Sequence, residues 1–206
     1  MQAIIIGAGR GSRLMPTTAD SPKCFAEVGG QRILDWTVEA FRDNGIADMT
    51  FIGGYRIDCV RENYPDFAFR HNADWENNNI LESLMYAEDL MDEPFLCCYS
   101  DILFTTKIVS DVLRCDADIA LGVDTGWLSR FEHRTEHPSG DAEKVTVENG
   151  VVTSVHRDIE EANAHGEYIG VARISSVGAA SLRECFHKRK EEFAGKPYRE
   201  AKSFEK

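Results

Sequence analysis

Ala3-Ile4-Ile5-Ile6-Gly7-Ala8-Gly9-Arg10-Gly11-Ser12-Arg13 opens the chain with a continuous apolar run that ends in closely spaced glycines. An uninterrupted apolar run suits a strand covered on both faces. The glycines that follow lack Cβ atoms, so backbone N–H groups can approach phosphate oxygens closely. Glycines alone leave a second reading open, a tight turn flanked by solvated arginines. Downstream, Ile33, Leu34, Thr37, Val38 and Phe41 recur at helical spacing, Asn44-Gly45 supplies a stop, and Met49 to Ile52 reads as a strand. Strand, loop, helix and strand in that order predict a right-handed crossover unit.

The alternation continues through a short helix near Ile57 to Glu62, a short strand at Phe67 to Phe69 and a helix from about Asn79 to Met91. Phe95 to Tyr99 reads as a buried strand ending at Ser100-Asp101, Ile108 to Leu113 as a helix, and Ile119 to Val123 as a strand. The pattern then changes. Val145 and Val147 alternate with polar residues, Asn149-Gly150 is a two-residue turn signal, and Val151 to Val155 returns, which predicts a hairpin. Tyr168 to Ile174 completes the strands and Ala179 to Phe193 forms a terminal helix. The expected architecture is a three-layer α/β/α domain whose mixed, mostly parallel sheet carries an antiparallel insertion.

The 206 residues fit one domain. A composition of 43% hydrophobic and 28% charged residues supports a sizeable core and excludes wholesale disorder. With 23 Lys+Arg against 35 Asp+Glu the net charge is −12, which excludes a broad nucleic-acid or anionic-lipid footprint. No apolar run approaches the ~20 residues of a membrane span, and no basic region precedes an apolar stretch at the N-terminus, so a cytoplasmic location is expected. The six cysteines form no Cys-x-x-Cys pair and read as reduced, mostly apolar residues. Against this acidic background, residues 1–24 hold Arg10, Arg13 and Lys23 against one acid, Asp20, a local cationic pocket for an anionic ligand.

Two phosphate-binding motifs fail here. Ser12 stands where a dinucleotide fingerprint needs its third glycine, Pro16 interrupts the helix, and the second strand ends at Gly53-Gly54 without an acid. No Gly-x-x-x-x-Gly-Lys-Ser/Thr string occurs. Gly9-x-Gly11-Ser12-Arg13-Leu14, Pro16 and Ser21-Pro22-Lys23 instead resemble the signature loop of nucleotidyltransferases with a Rossmann-like GT-A fold. Further stretches are similar to the small phosphocholine and phosphonate cytidylyltransferases: Asn79 to Leu84, Tyr99 to Ile102, Asp124 to Trp127, Asp141 to Glu143, and Gly166 to Gly170. Two departures stand out: Ile6-Gly7 replaces the usual Leu-Ala, and the sequence lacks the usual C-terminal Glu-x-Asp, which suggests a shortened or divergent chain.

The resemblance implies transfer of a CMP group from CTP to a small phosphate or phosphonate, with Mg²⁺ as cofactor and room for a homodimer. Ala8, Gly9, Gly11, Ser12 and Arg13 would hold the triphosphate, Lys23 would bridge the α-phosphate and acceptor, and Asp101 would bind the metal. As plain structure, Lys23 is a solvated loop lysine and Asp101 a strand-end turn acid. Asn79 and Ser83, one helical turn apart, can face one pocket and read the base, or Asn78 or Asn79 can cap the helix. An amine-bearing acceptor calls for aromatic and acidic groups, and Trp127, Tyr168, Asp158 and Glu167 are the candidates, with Asp141 and Glu143 ahead of the hairpin. The aromatics serve equally as core. Sugar 1-phosphate nucleotidyl transfer and a nucleotide-binding homologue without catalysis are the competing functions, with a nicotinamide oxidoreductase more distant.

Overall fold

The computed structural model describes residues 1–11, 20–132, 134, 138–192 and 194. The apolar opening forms β1 (Gln2–Gly7). After a single 3-10 turn at Lys23–Phe25 comes a two-strand ribbon, β2 (Glu27–Val28) and β3 (Gln31–Arg32), which the sequence pattern did not reveal. Then follow α1 (Ile33–Arg42), β4 (Met49–Gly53), α2 (Ile57–Asn63) and β5 (Ala68–His71). α3 (Ile80–Leu84) breaks early: Met85–Leu90 is 3-10 and Ala87 leaves helical geometry, so the expected continuous helix to Met91 is two pieces. Beyond it lie β6 (Phe95–Tyr99), α4 (Thr106–Arg114), β7 (Ile119–Asp124) and a short α5 (Trp127–Phe131), also unforeseen. The expected hairpin is β8 (Lys144–Glu148) with β9 (Val151–His156), and β10 (Gly166–Ile174) leads into α6 (Ser176–Glu192).

Apart from the β2-β3 ribbon, the strands form one mixed sheet in the order β5-β4-β1-β6-β10, to which β7 and the β8-β9 hairpin attach through β10. β1 lies parallel to both β4 and β6, and β4 parallel to β5, while β10 runs antiparallel to β6, β7 and β8. Alternation along β1 assigns the two faces. Ala3 and Ile5 join α1, α2 and α4 through Leu34, Phe41, Val60 and Val109. Ile4 and Ile6 join α3 and α6 through Leu84 and Ala179. A side-chain period of two thus produces the three layers.

α6 buries few of its residues, namely Gly178, Ala179 and Phe186. Its docking relies on a stripe of three polar contacts: ion pairs from Arg183 to Asp92 at 2.9 Å and from Lys190 to Glu82 at 2.8 Å, with a hydrogen bond between His187 and Glu88 at 2.7 Å. Positions i, i+4 and i+7 share one helical face, so the stripe straps α6 to the α3 region.

β10 changes register along its length. Tyr168 lies opposite Val123 and Ala172 opposite Leu121, so β10 advances four residues while β7 advances two. Gly170 takes φ +70 within this bulge, and a Cβ there would stand 2.4 Å from the Tyr99 ring. Only glycine meets both demands without strain.

Candidate active site

A cleft of about 250 Å³ opens at the carboxyl ends of β1 and β6, where the order of an open α/β sheet places ligands. Its walls gather Ala8, Gly9, Gly11, Lys23, Asn79, Ser83 and Asp101, residues spread over 94 positions of sequence. Ser12 and Arg13 lie outside the described residues. Gly11 takes φ +68 and abuts the aliphatic stem of Lys23, with a Cβ there 2.9 Å from Cδ. Pro22, extended at φ −64, leads into the 3-10 turn that aims Lys23 across the cleft. There the Lys23 ammonium and the Asp101 carboxylate form an ion pair, each side chain a quarter to a third exposed (32% and 26%).

Cys24 packs behind this pair, 1% exposed. Burial, chiefly, pushes its thiol up to about 12, and the Asp101 charge adds to the effect, so it is an inert apolar wall.

The cleft's opposite wall rests on an asparagine that sequence reasoning missed. Asn72, fully buried, exchanges hydrogen bonds with Asn78: its Nδ2 donates to Asn78 Oδ1 at 2.9 Å and its Oδ1 accepts from Asn78 Nδ2 at 3.0 Å. Its Nδ2 also donates to Ser83 Oγ at 2.9 Å, and its Oδ1 accepts from the Asp74 amide. Asn79 caps α3, accepting from the Glu82 amide at 2.8 Å, and Ser83 donates to the Asn79 carbonyl. Capping and lining the cleft are therefore both true of Asn79. Trp75 lines the same wall, set edge-on to Tyr55 at 5.7 Å, and Arg10 stands 5.3 Å over the Tyr55 ring. Nothing in the sequence pattern singled out Asn72 or Trp75.

The expected acceptor residues divide. Trp127 is 3% exposed and packs on Phe131 and Ala142, so it is core and not the wall of a cage. Asp158 is a surface residue, 79% exposed beside His156, and Asp141 ends an exposed 3-10 turn at Ser139–Asp141. Tyr168 sets its ring edge-on to Tyr99 at 5.9 Å. Glu143 accepts from Tyr99 Oη at 3.2 Å and from Arg157 Nη2 at 3.2 Å, while the Tyr168 amide donates to its carbonyl at 2.8 Å. Glu167 lies opposite both Asp124 and Lys144. Burial raises its carboxyl above the ordinary range against the pull of Arg134, and Asp124 and Glu143 raise it further. Lys144 was also missed: it is 2% exposed, and its ammonium donates at 3.4 Å to the Ser139 carbonyl. Tyr99 links this cluster to the cleft, because Ser100 and Asp101 follow it directly.

An open mixed α/β sheet with a glycine loop, a lysine and a strand-end aspartate at one cleft defines a nucleotidyltransferase fold. Residues 3–138 match the MobA-like NTP transferase domain, and the chain belongs to that family. It is 30% identical over 188 residues to the CTP:phosphoglutamine cytidylyltransferase of Campylobacter jejuni, covering 85% of this chain and 73% of that protein. It is 29% identical over 167 residues to a UTP–glucose-1-phosphate uridylyltransferase of Haloferax volcanii, covering 78% of this chain and 66% of that one. The inositol-1-phosphate CTP transferase of T. maritima has the same fold, with TM-score 0.71, 21% identity, and coverage of 95% and 76% of the two chains.

Among the described residues no helix is long and apolar enough to cross a membrane.

Proposed function

We propose that the protein transfers the CMP group of CTP to a small phosphate or phosphonate acceptor. An acceptor phosphoryl oxygen attacks the α-phosphorus and forms the new P–O bond, the bond to the β-phosphate breaks, and pyrophosphate carries away the electron pair. No covalent enzyme intermediate is required. The observation that carries the reading is the convergence of the glycine loop, Lys23 and Asp101 on one cleft whose far wall is the capped end of α3. The cytidylyltransferase from Campylobacter jejuni supports the choice of base.

In this reading Lys23 holds an α-phosphate oxygen and the incoming acceptor as a compact point charge. Backbone donors of the glycine loop flank the triphosphate, and Asn79 and Trp75 form the base wall. Lys144, a buried ammonium with a long hydrogen bond, adds positive potential on the acceptor side without touching it. Mg²⁺ takes one or two carboxylates and completes its shell with phosphate oxygens and water. Asp101 suits that role: its carboxylate stands in the cleft just past the end of β6, a quarter exposed, where it would share the metal with triphosphate oxygens. When bound, the metal would neutralise charge on the departing pyrophosphate. The described cysteines are all free, which agrees with a reducing cytoplasm.

Pyrophosphate release measured with CTP, UTP, dTTP and GTP against a panel of small phosphates, phosphonates and sugar 1-phosphates tests the proposal. CTP is expected to win with a small acceptor. Turnover confined to UTP and glucose 1-phosphate, the chemistry named for the Haloferax volcanii relative, would replace it.

A further inference from the structure

The groups around Glu143 define more than a generic acceptor. A carboxylate has about four lone-pair positions. Tyr99 takes one on Oε2 and Arg157 one on Oε1, so among the described residues each oxygen keeps a further lone-pair position, and the side chain is 27% exposed. Arg157 in turn gives Glu143 one of its five N–H donors through Nη2, and its side chain is 54% exposed. An anionic acceptor and a cationic donor group thus stand side by side at a fixed spacing. Among the described residues the cluster offers two rings set edge-on to each other, Tyr99 and Tyr168, while Trp127 packs in a separate core group, which falls short of the multi-sided aromatic cage a quaternary ammonium favours.

Resting on the transfer reaction proposed above, we infer that the acceptor carries a primary ammonium and a carboxylate in addition to its phosphoryl group, the ammonium read by Glu143 and the carboxylate by Arg157. A quaternary ammonium has no N–H to donate to Glu143, and a sugar phosphate leaves both charges unmet. An amino-acid end satisfies the two together, with charge-assisted hydrogen bonds in both directions. Glu167 on the neighbouring strand adds attraction for a cation, Asp124 is paired with Arg130, and the buried Lys144 adds positive charge from within.

The test compares kcat/KM for CTP-dependent pyrophosphate release with four acceptors: phosphoglutamine, O-phosphoserine, phosphoethanolamine and phosphocholine. O-Phosphoserine and phosphoethanolamine differ by the carboxylate alone, and phosphoethanolamine and phosphocholine by the N–H donors. Acceptors with both groups should exceed phosphoethanolamine by about tenfold or more, the weight of a charged hydrogen bond, and phosphocholine by more. Arg157→Met should bring the O-phosphoserine to phosphoethanolamine ratio toward one, and Arg157→Lys should restore part of it, while thermal denaturation reports whether either variant is folded. A higher kcat/KM for phosphocholine, or a ratio that Arg157→Met leaves as it was, overturns the inference and leaves cytidylyl transfer standing. Turnover of none of the four also overturns it, and a parallel CTP titration by calorimetry then shows whether the nucleotide reading falls too.

Discussion

Replacing Gly170 by alanine should strain β10 twice, and a second glycine separates the two costs. Gly170 sits at φ +70, and an added Cβ would stand 2.4 Å from Tyr99 Cδ2 and 2.8 Å from its Cγ. The left-handed conformation costs a non-glycine residue roughly 1–2 kcal/mol. Forcing a methyl into a packed ring adds roughly 1–3 kcal/mol. Gly150, in the hairpin turn beside Asn149, takes φ +80 with nothing within 4 Å of its would-be Cβ. Gly150→Ala therefore isolates the conformational part, and Gly170→Ala should exceed it by roughly 1–3 kcal/mol. Urea unfolding of both variants, with unchanged slopes to validate the comparison, gives the difference. Because Tyr99 holds Glu143, Gly170→Ala should also raise KM for the acceptor. Unfolding free energies within about 0.5 kcal/mol of each other would show that the ring simply moves aside, and the packing argument would fail.

Asp101→Asn should cut pyrophosphate release at least about 100-fold, the usual weight of one charge-stabilising group, while unfolding stability moves by only about 1 kcal/mol for a pair still open to solvent on one side; activity within tenfold of the parent would remove Asp101 from the chemistry. Burial raises the Cys97 thiol from 9.0 to about 12. The unfolded chain ionises that thiol first, so stability is intact below about pH 9 and falls as pH rises toward 12, by roughly 4 kcal/mol at most from this group. Cys97→Ala should flatten the stability slope over that window in urea titrations, and an identical slope would refute the assignment. Salt near 1 M shrinks the screening length to about 3 Å, so the Arg183–Asp92 and Lys190–Glu82 ion pairs of α6 should weaken and its amides should exchange several-fold faster, with β6 amides unaffected. Equal protection of α6 at both salt concentrations would mean that the strap contributes nothing.

Strands and helices were legible where the chain obeys a single period. Ile4 and Ile5 are fully buried because both sheet faces are covered, and that is what an unbroken apolar run reports. Asn149-Gly150 announced the hairpin because few residues tolerate its turn, and both do take positive φ. The break at Ala87 was hidden, since 3-10 and α segments share nearly the same apolar spacing. Trp127 shows a different limit: an aromatic beside polar residues looks the same whether it faces a ligand or the core. Asn72 and Lys144 were invisible because a polar residue's burial depends on how the chain folds around it, here the Asn78 and Ser83 side chains about Asn72 and the Ser139 carbonyl at Lys144, which no periodicity reports.

The bulge in β10 joins two registers in one strand. Val171–Ile174 is registered on β6 and Gly166–Glu167 on the hairpin, while β7 pairs with β10 on both sides of the shift. The excursion from Asp124 to Gly166 carries Glu143 and Arg157, so under the proposed transfer reaction lengthening or trimming it should alter the choice of acceptor and leave CTP binding as it is.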